Sequence, residues 1–166
     1  MADLKDTYVV HCATITCTQG MRASVLVLQN THGVFLKQFP VLTVKDCIAN
    51  SNIITFGGCY SMENPDTQKQ AEEIKKEVEK ECPDNFLDKI GNFFCSKKKK
   101  EKQSEEQVET CPRVLGKCSL SLCAGQEWDY GKEGVEIDGA KPLMGGAKLY
   151  CAYGGEIEIV TSGQPE

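Results

Sequence analysis

Ten cysteines stand among 166 residues, at positions 12, 17, 47, 59, 82, 95, 111, 118, 123 and 151. Thiols at that density pair as disulfides, ligate a soft metal, or carry nucleophilic and redox chemistry. The opening Met1-Ala2-Asp3-Leu4-Lys5-Asp6 is polar and lacks the apolar core of a signal peptide. Reduced thiols and metal ligation are therefore expected over a disulfide framework. No Cys-x-x-Cys occurs, so neither a zinc knuckle nor a thioredoxin-like pair forms locally. Any metal site must collect ligands from distant segments. Cys17 and Cys118 fall on apolar faces of alternating stretches, while Cys59 follows Gly57-Gly58 and Cys151 precedes Gly154-Gly155, pairs that permit tight backbone approach. The competing reading is that several are buried thiols, since free cysteine is among the most buried residue types.

Other chemistry finds little support. The chain has two histidines, and no Ser-centred elbow, His-Glu-x-x-His or phosphate loop. His11 and Cys12 are adjacent, so a regular strand points them apart and excludes a nucleophilic dyad there. The expectation is a protein that is not an enzyme; the alternatives are a small thiol or redox enzyme, an injected effector, or a metal-stabilised intracellular adaptor. A net charge of -5 argues against nucleic acid as the partner. No apolar run approaches the roughly 20 residues needed for stable membrane insertion.

The elements that must position the cysteines are short strands. Tyr8 to Thr18 alternates, with Val9, His11, Ala13, Ile15 and Cys17 on one face and Cys12 on the other. Ser24 to Gln29 is a second strand. Near the end, Ile157 and Ile159 alternate with Glu156 and Glu158, and a hairpin is expected around Cys151. Asp138-Gly139 signals a tight turn. Gly33-Val34 to Leu42, leading to Cys47, resembles Gly134-Val135 to Leu143, leading to Cys151, which suggests one strand-turn-strand unit used twice. Trp128 reads as a core or rim anchor.

Between the two halves the pattern changes. Ala71, Ile74, Val78 and Cys82 recur at helical spacing, with Asn64 or Asp66 as cap and Pro65 in the first turn. Pro83 would end that helix. A second short helix would gather Phe86, Leu87, Ile90, Phe93 and Phe94, and Lys97 to Gln107 is a charged, low-complexity run. The expected architecture is mainly β, a body of short hairpins over residues 7–162 interrupted by a helical and charged insert at 66–108.

The ordered set Tyr8-Val9-Val10, Cys17, His32-Gly33-Val34-Phe35, Pro40-Val41-Leu42, Asp46-Cys47-Ile48, Phe56-Gly57-Gly58-Cys59, Lys117-Cys118, Trp128 and Cys151-x-Tyr153-Gly154-Gly155-x-Ile157 resembles the PAAR-like proteins of a widespread bacterial family, especially its clostridial-type members. The resemblance spans the β body but not Cys82 to about Thr110. Cys12 stands where a glycine is usual, and no Pro-Ala-Ala-Arg tetrapeptide occurs; Lys141-Pro142-Leu143-Met144 takes its place. The resemblance implies a small conical β body that is monomeric alone. It would cap the trimeric spike protein of a contractile injection or type VI-like secretion system, sharpening it, with effector cargo on the insert. It implies a structural zinc, for which Cys17, Cys59, Cys118 and Cys151 are the expected ligands, with Cys111 the nearest substitute for Cys118. It also implies a cytoplasmic protein before firing, delivered outside or into a target cell.

Overall fold

The computed structural model describes residues 3–81 and 113–165. After a 3-10 turn at Leu4–Asp6 come β1 (Thr14–Cys17), β2 (Ser24–Val25), β3 (Phe35–Leu36), β4 (Phe39–Pro40) and β5 (Gly58–Cys59). Helix α1 (Pro65–Glu81) follows, then β6 (Gly116–Lys117), β7 (Lys148–Tyr150) and β8 (Glu156–Ile159). The molecule is mainly β, as the alternation predicts. Its largest sheet has the order β2-β1-β8-β7 with every pair antiparallel. Ile15 lies opposite Ile159 and Cys17 opposite Ile157, so the aliphatic residues of β1 and β8 face one core. Each such side chain, once fully buried, contributes about 1.5–3 kcal/mol. The Glu156 and Glu158 face is wet, and both carboxylates meet Lys148.

The single strand expected from Tyr8 to Thr18 is broken. The chain turns at His11-Cys12, where Cys12 takes φ 69, and only Thr14–Cys17 pairs as a strand. Val9 and Val10 are consequently both buried, Val9 in the main core and Val10 in a small cluster with Val41 and Ile137. Left-handed backbone is the physical reason a glycine suits position 12. Cys12 is exposed there, and the ring of His11 accepts the Leu28 N–H at 2.9 Å. The second strand is likewise reduced to Ser24–Val25.

The two-fold repeat is real in part, and it belongs to a three-fold pattern. Gly33 and Gly134 both have positive φ, and the turns Lys37-Gln38 and Asp138-Gly139 both place two consecutive residues at positive φ, the geometry of a tight hairpin turn. Following each hairpin, Leu42 and Leu143 join Val9 in a closed cycle of backbone bonds. The N–H of Leu42 donates to Val9 O at 3.0 Å, that of Leu143 to Leu42 O at 2.8 Å, and that of Val9 to Leu143 O at 3.0 Å. A second cycle runs the opposite way around the axis, from the N–H two residues after each of these to the carbonyl two residues before its neighbour: His11 to Pro40 at 3.0 Å, Val44 to Lys141 at 2.9 Å and Gly145 to Thr7 at 2.9 Å. Each segment then closes the same turn, Ala13 to Val10, Asp46 to Thr43 and Ala147 to Met144. Val9, Leu42 and Leu143 have no exposed surface. Three chain segments thus surround one pseudo-three-fold axis.

One half of the repeat expectation needs correcting. The two copies do not lead to equivalent cysteines, because Cys47 is buried elsewhere and its thiol donates to Gln126 O at 3.1 Å. Trp128 is buried as expected, its indole N–H on Asp46 O at 3.2 Å.

Helix α1 starts where its cap predicts, with Asn64 Oδ1 accepting the Asp66 N–H at 3.1 Å. Its first turn is built into the β body. Thr67 Oγ1 donates to Cys59 O at 2.9 Å, Asn64 Nδ2 donates to Lys117 O at 2.9 Å, and Asp66 accepts the Lys117 N–H. Gly116 lies so close that a Cβ there would meet Thr67 N at 2.3 Å. Of the expected apolar stripe, Ala71 is buried but Ile74 is 45% exposed, because β6 covers only the helix start. Cys82, Pro83, the second helix, the charged run and Cys111 lie outside the described residues.

Candidate metal centre

Each predicted ligand is held by a short strand end or a tight turn. Cys17 closes β1, and Cys59 closes β5, where it pairs with Gly116 and bridges to Gly20. The Gly20 N–H donates to Cys17 O at 2.9 Å, which ties the first two ligand segments together. Cys118 follows β6, its N–H on Gly57 O at 3.0 Å. Cys151 sits in the β7–β8 hairpin, bonding Gly155 O at 2.8 Å, while Gly154 returns a bond to Cys151 O at 2.9 Å. The four cysteines line one cavity with Gly20, Phe56, Leu120 and Gly155. They come from both halves of the chain, as the strand ends predict.

The cavity is about 10 Å³, room for one water-sized sphere. Cys17, Cys118 and Cys151 are partly buried and Cys59 is buried, whereas Cys12 and Cys123 are exposed and do not line it. Burial pushes the Cys17 thiol above its ordinary 9.0; the Gln19 backbone bond opposes this, and the nearby Cys151, Cys118 and Cys59 add to it. Without a cation, burial and the neighbouring sulfurs therefore disfavour the Cys17 thiolate. Among the described residues no group of three or more His, Cys, Asp or Glu side chains already has the geometry of a closed metal site. The four sulfurs border the space more loosely than a bound ion would require. Their donor type, their number and the one-atom space fit a soft, tetrahedral cation.

Gly155, the second of the glycine pair after Cys151, packs directly against the cluster. A Cβ at Gly155 would stand 2.7 Å from Cys17 Sγ and 3.6 Å from the Cys151 Cβ. A Gly-Gly pair beginning three residues after a cysteine is the sequence signal for it. Gly155→Ala should fold, because the sulfur it meets can rotate away, but that rotation takes Cys17 out of the cavity. The expected result is a loss of metal affinity of at least tenfold, the size typical of disturbed metal-site support, with the far-ultraviolet spectrum retained. Competition with a chromophoric chelator measures it; unchanged affinity would remove Gly155 from the site.

The fold and site define a small, mainly β protein with a partly buried thiol cluster. The chain belongs to the family described as Domain of unknown function (DUF4280), whose model matches residues 9–164. The match runs from the first ring segment through the Cys151 hairpin to Gln164. No curated protein and no solved structure matches the chain.

Proposed function

We propose that this protein is a metal-stabilised tip that caps the trimeric spike of a bacterial contractile injection or type VI-like secretion machine. The observation that carries the reading is the pseudo-three-fold cycle of Val9, Leu42 and Leu143. A monomer meeting a homotrimer end-on faces three identical surfaces. Three quasi-equivalent segments around one axis satisfy all three, whereas an asymmetric cap leaves partner strand edges unpaired. One chain replaces a trimer at the point where three strands would crowd.

Zinc held by Cys17, Cys59, Cys118 and Cys151 would brace the segments that extend beyond the ring. Strand β1 runs from the ring turn at Ala13 to Cys17, so the cluster lies about 10–13 Å along the chain from the axis segments. Strands of two to four residues bury too little to be stable alone, and a metal cross-link supplies the rigidity a point needs. The role is mechanical and needs no catalytic group. On this reading the protein is monomeric in the cytoplasm, leaves the cell with the machine, and offers the insert beyond Ala71 as the place for effector cargo.

Co-expression with the trimeric spike protein of the same gene cluster tests the proposal. The tagged chain should retain the spike through purification. Failure to retain it, or self-assembly of the chain into a stable ring, counts against the reading.

A further inference from the structure

His32 lies between carboxylates from two of the three pseudo-equivalent segments. Its Nε2 is 2.9 Å from Asp46 Oδ2 and 3.2 Å from Oδ1, and its Nδ1 is 3.3 Å from Asp138 Oδ2. The imidazole is largely buried, Asp46 is buried, and Asp138 is exposed at the turn of the 134–142 hairpin. Asp46 is fixed from other directions. Its Oδ2 accepts the Thr43 N–H at 2.6 Å and the Thr43 hydroxyl at 2.9 Å, and its carbonyl accepts the Trp128 indole. Among the described residues Asp138 has no such support; Lys45 Nζ donates to the Gly139 carbonyl beside it, at 3.1 Å.

We infer that His32 is a proton-operated clasp, holding the Asp138-Gly139 turn against the Asp46 segment when doubly protonated and releasing it on losing one proton. The reason is the donor count. Both carboxylates are acceptors only, and an imidazolium offers an N–H to each, whereas neutral imidazole has a single N–H. That remaining proton stays on Nε2, toward the closer and more rigid Asp46. The Nδ1 lone pair then faces the Asp138 carboxylate, and the contact becomes repulsive. Ile137, the residue before the turn, is buried with Val10 and Val41 and exchanges both backbone bonds with Ala140, at 2.8 and 3.0 Å, so the strands stay paired and only Asp138 and Gly139 at the tip are freed.

The direction of the pH effect follows. Burial alone would push His32 below its ordinary 6.5, but the bonds and charge of Asp46, then of Asp138, overcome it and raise the value. Among the described residues, the charged groups that face the clasp are Asp46, Asp138 and, beside the turn, Lys45. A folded-state pKa above the unfolded one means the clasp is fully closed below 6.5 and opens as pH rises through the folded value.

The test is a pH series on the isotopically labelled full chain by NMR, following the His32 ring protons and the order parameters of Asp138 and Gly139. His32 should titrate above 6.5. Across that midpoint the Gly139 order parameter should fall from about 0.85 to below about 0.6, rigid to flexible. In His32→Ala the turn should be mobile at every pH. In Asp138→Asn, whose amide offers a donor or an acceptor to either ring state, it should stay ordered throughout. A Gly139 order parameter unchanged across the His32 midpoint, or a midpoint at or below 6.5, overturns the inference.

Discussion

Leu42→Ala and Leu143→Ala should each destabilise the protein by about 2–5 kcal/mol, the range for emptying a fully buried leucine site. Both side chains are wholly buried, and the backbones they belong to exchange hydrogen bonds around the pseudo-three-fold axis. Removing either side chain leaves a void that two other segments cannot close without breaking their own ring bonds. The double variant should depart from additivity by about 0.5–3 kcal/mol, because the two residues share partners. Val34→Ala, on an exposed hairpin residue, should stay within about 0.5 kcal/mol of wild type. Urea unfolding followed through Trp128, the chain's one tryptophan, reads all four. Ring variants no more costly than Val34→Ala would mean the axis is incidental.

The second large effect concerns the thiol cavity. Protein purified under reducing conditions should carry one zinc per chain by elemental analysis. That zinc should be lost with Cys59→Ser or Cys151→Ser and kept with Cys12→Ser or Cys123→Ser. A ligand at a thousand times its dissociation constant stabilises by about 4 kcal/mol, so chelation should lower Tm by about 8–16 °C for a chain of this size. Acid should act in the same direction. Metal binds thiolates, yet burial and neighbouring sulfurs hold the free Cys17 thiol above 9.0, so zinc must displace protons and its affinity falls as pH falls. A metal-free protein with these cysteines paired as disulfides would refute the site.

The cysteine cluster was legible because strand parity and Gly-Gly pairs are local signals. Ile157 and Ile159 fixed the inward face of β8, and Cys17 followed Ile15 onto the core side. The hairpin copies at Gly33 and Gly134 were legible for a similar reason, since a positive-φ glycine and a tight turn leave residue-type traces.

The third copy left none. The segment from Tyr8 to Ala13 shares the cyclic backbone bonding of the other two, but the polar Thr43 and Asp46 stand where it has Val10 and Ala13, and no turn glycine marks it as Gly33 and Gly134 mark the others. Symmetry carried by N–H and C=O groups is invisible to a reading of side chains. The break at Cys12 was hidden because cysteine is an uncommon occupant of left-handed backbone, and unbroken alternation through it mimics a strand. Ile74 was misplaced because helical periodicity reports an apolar stripe, not how far the supporting strand extends beneath it.

The mass of the complex with the spike, measured by light scattering during size exclusion, tests the capping account most directly. A pseudo-three-fold monomer on a three-fold end predicts one copy of this chain per spike trimer, with no further copies added at excess. Three chains per trimer would contradict it, since each spike subunit would then bind its own copy and the internal symmetry would have no role.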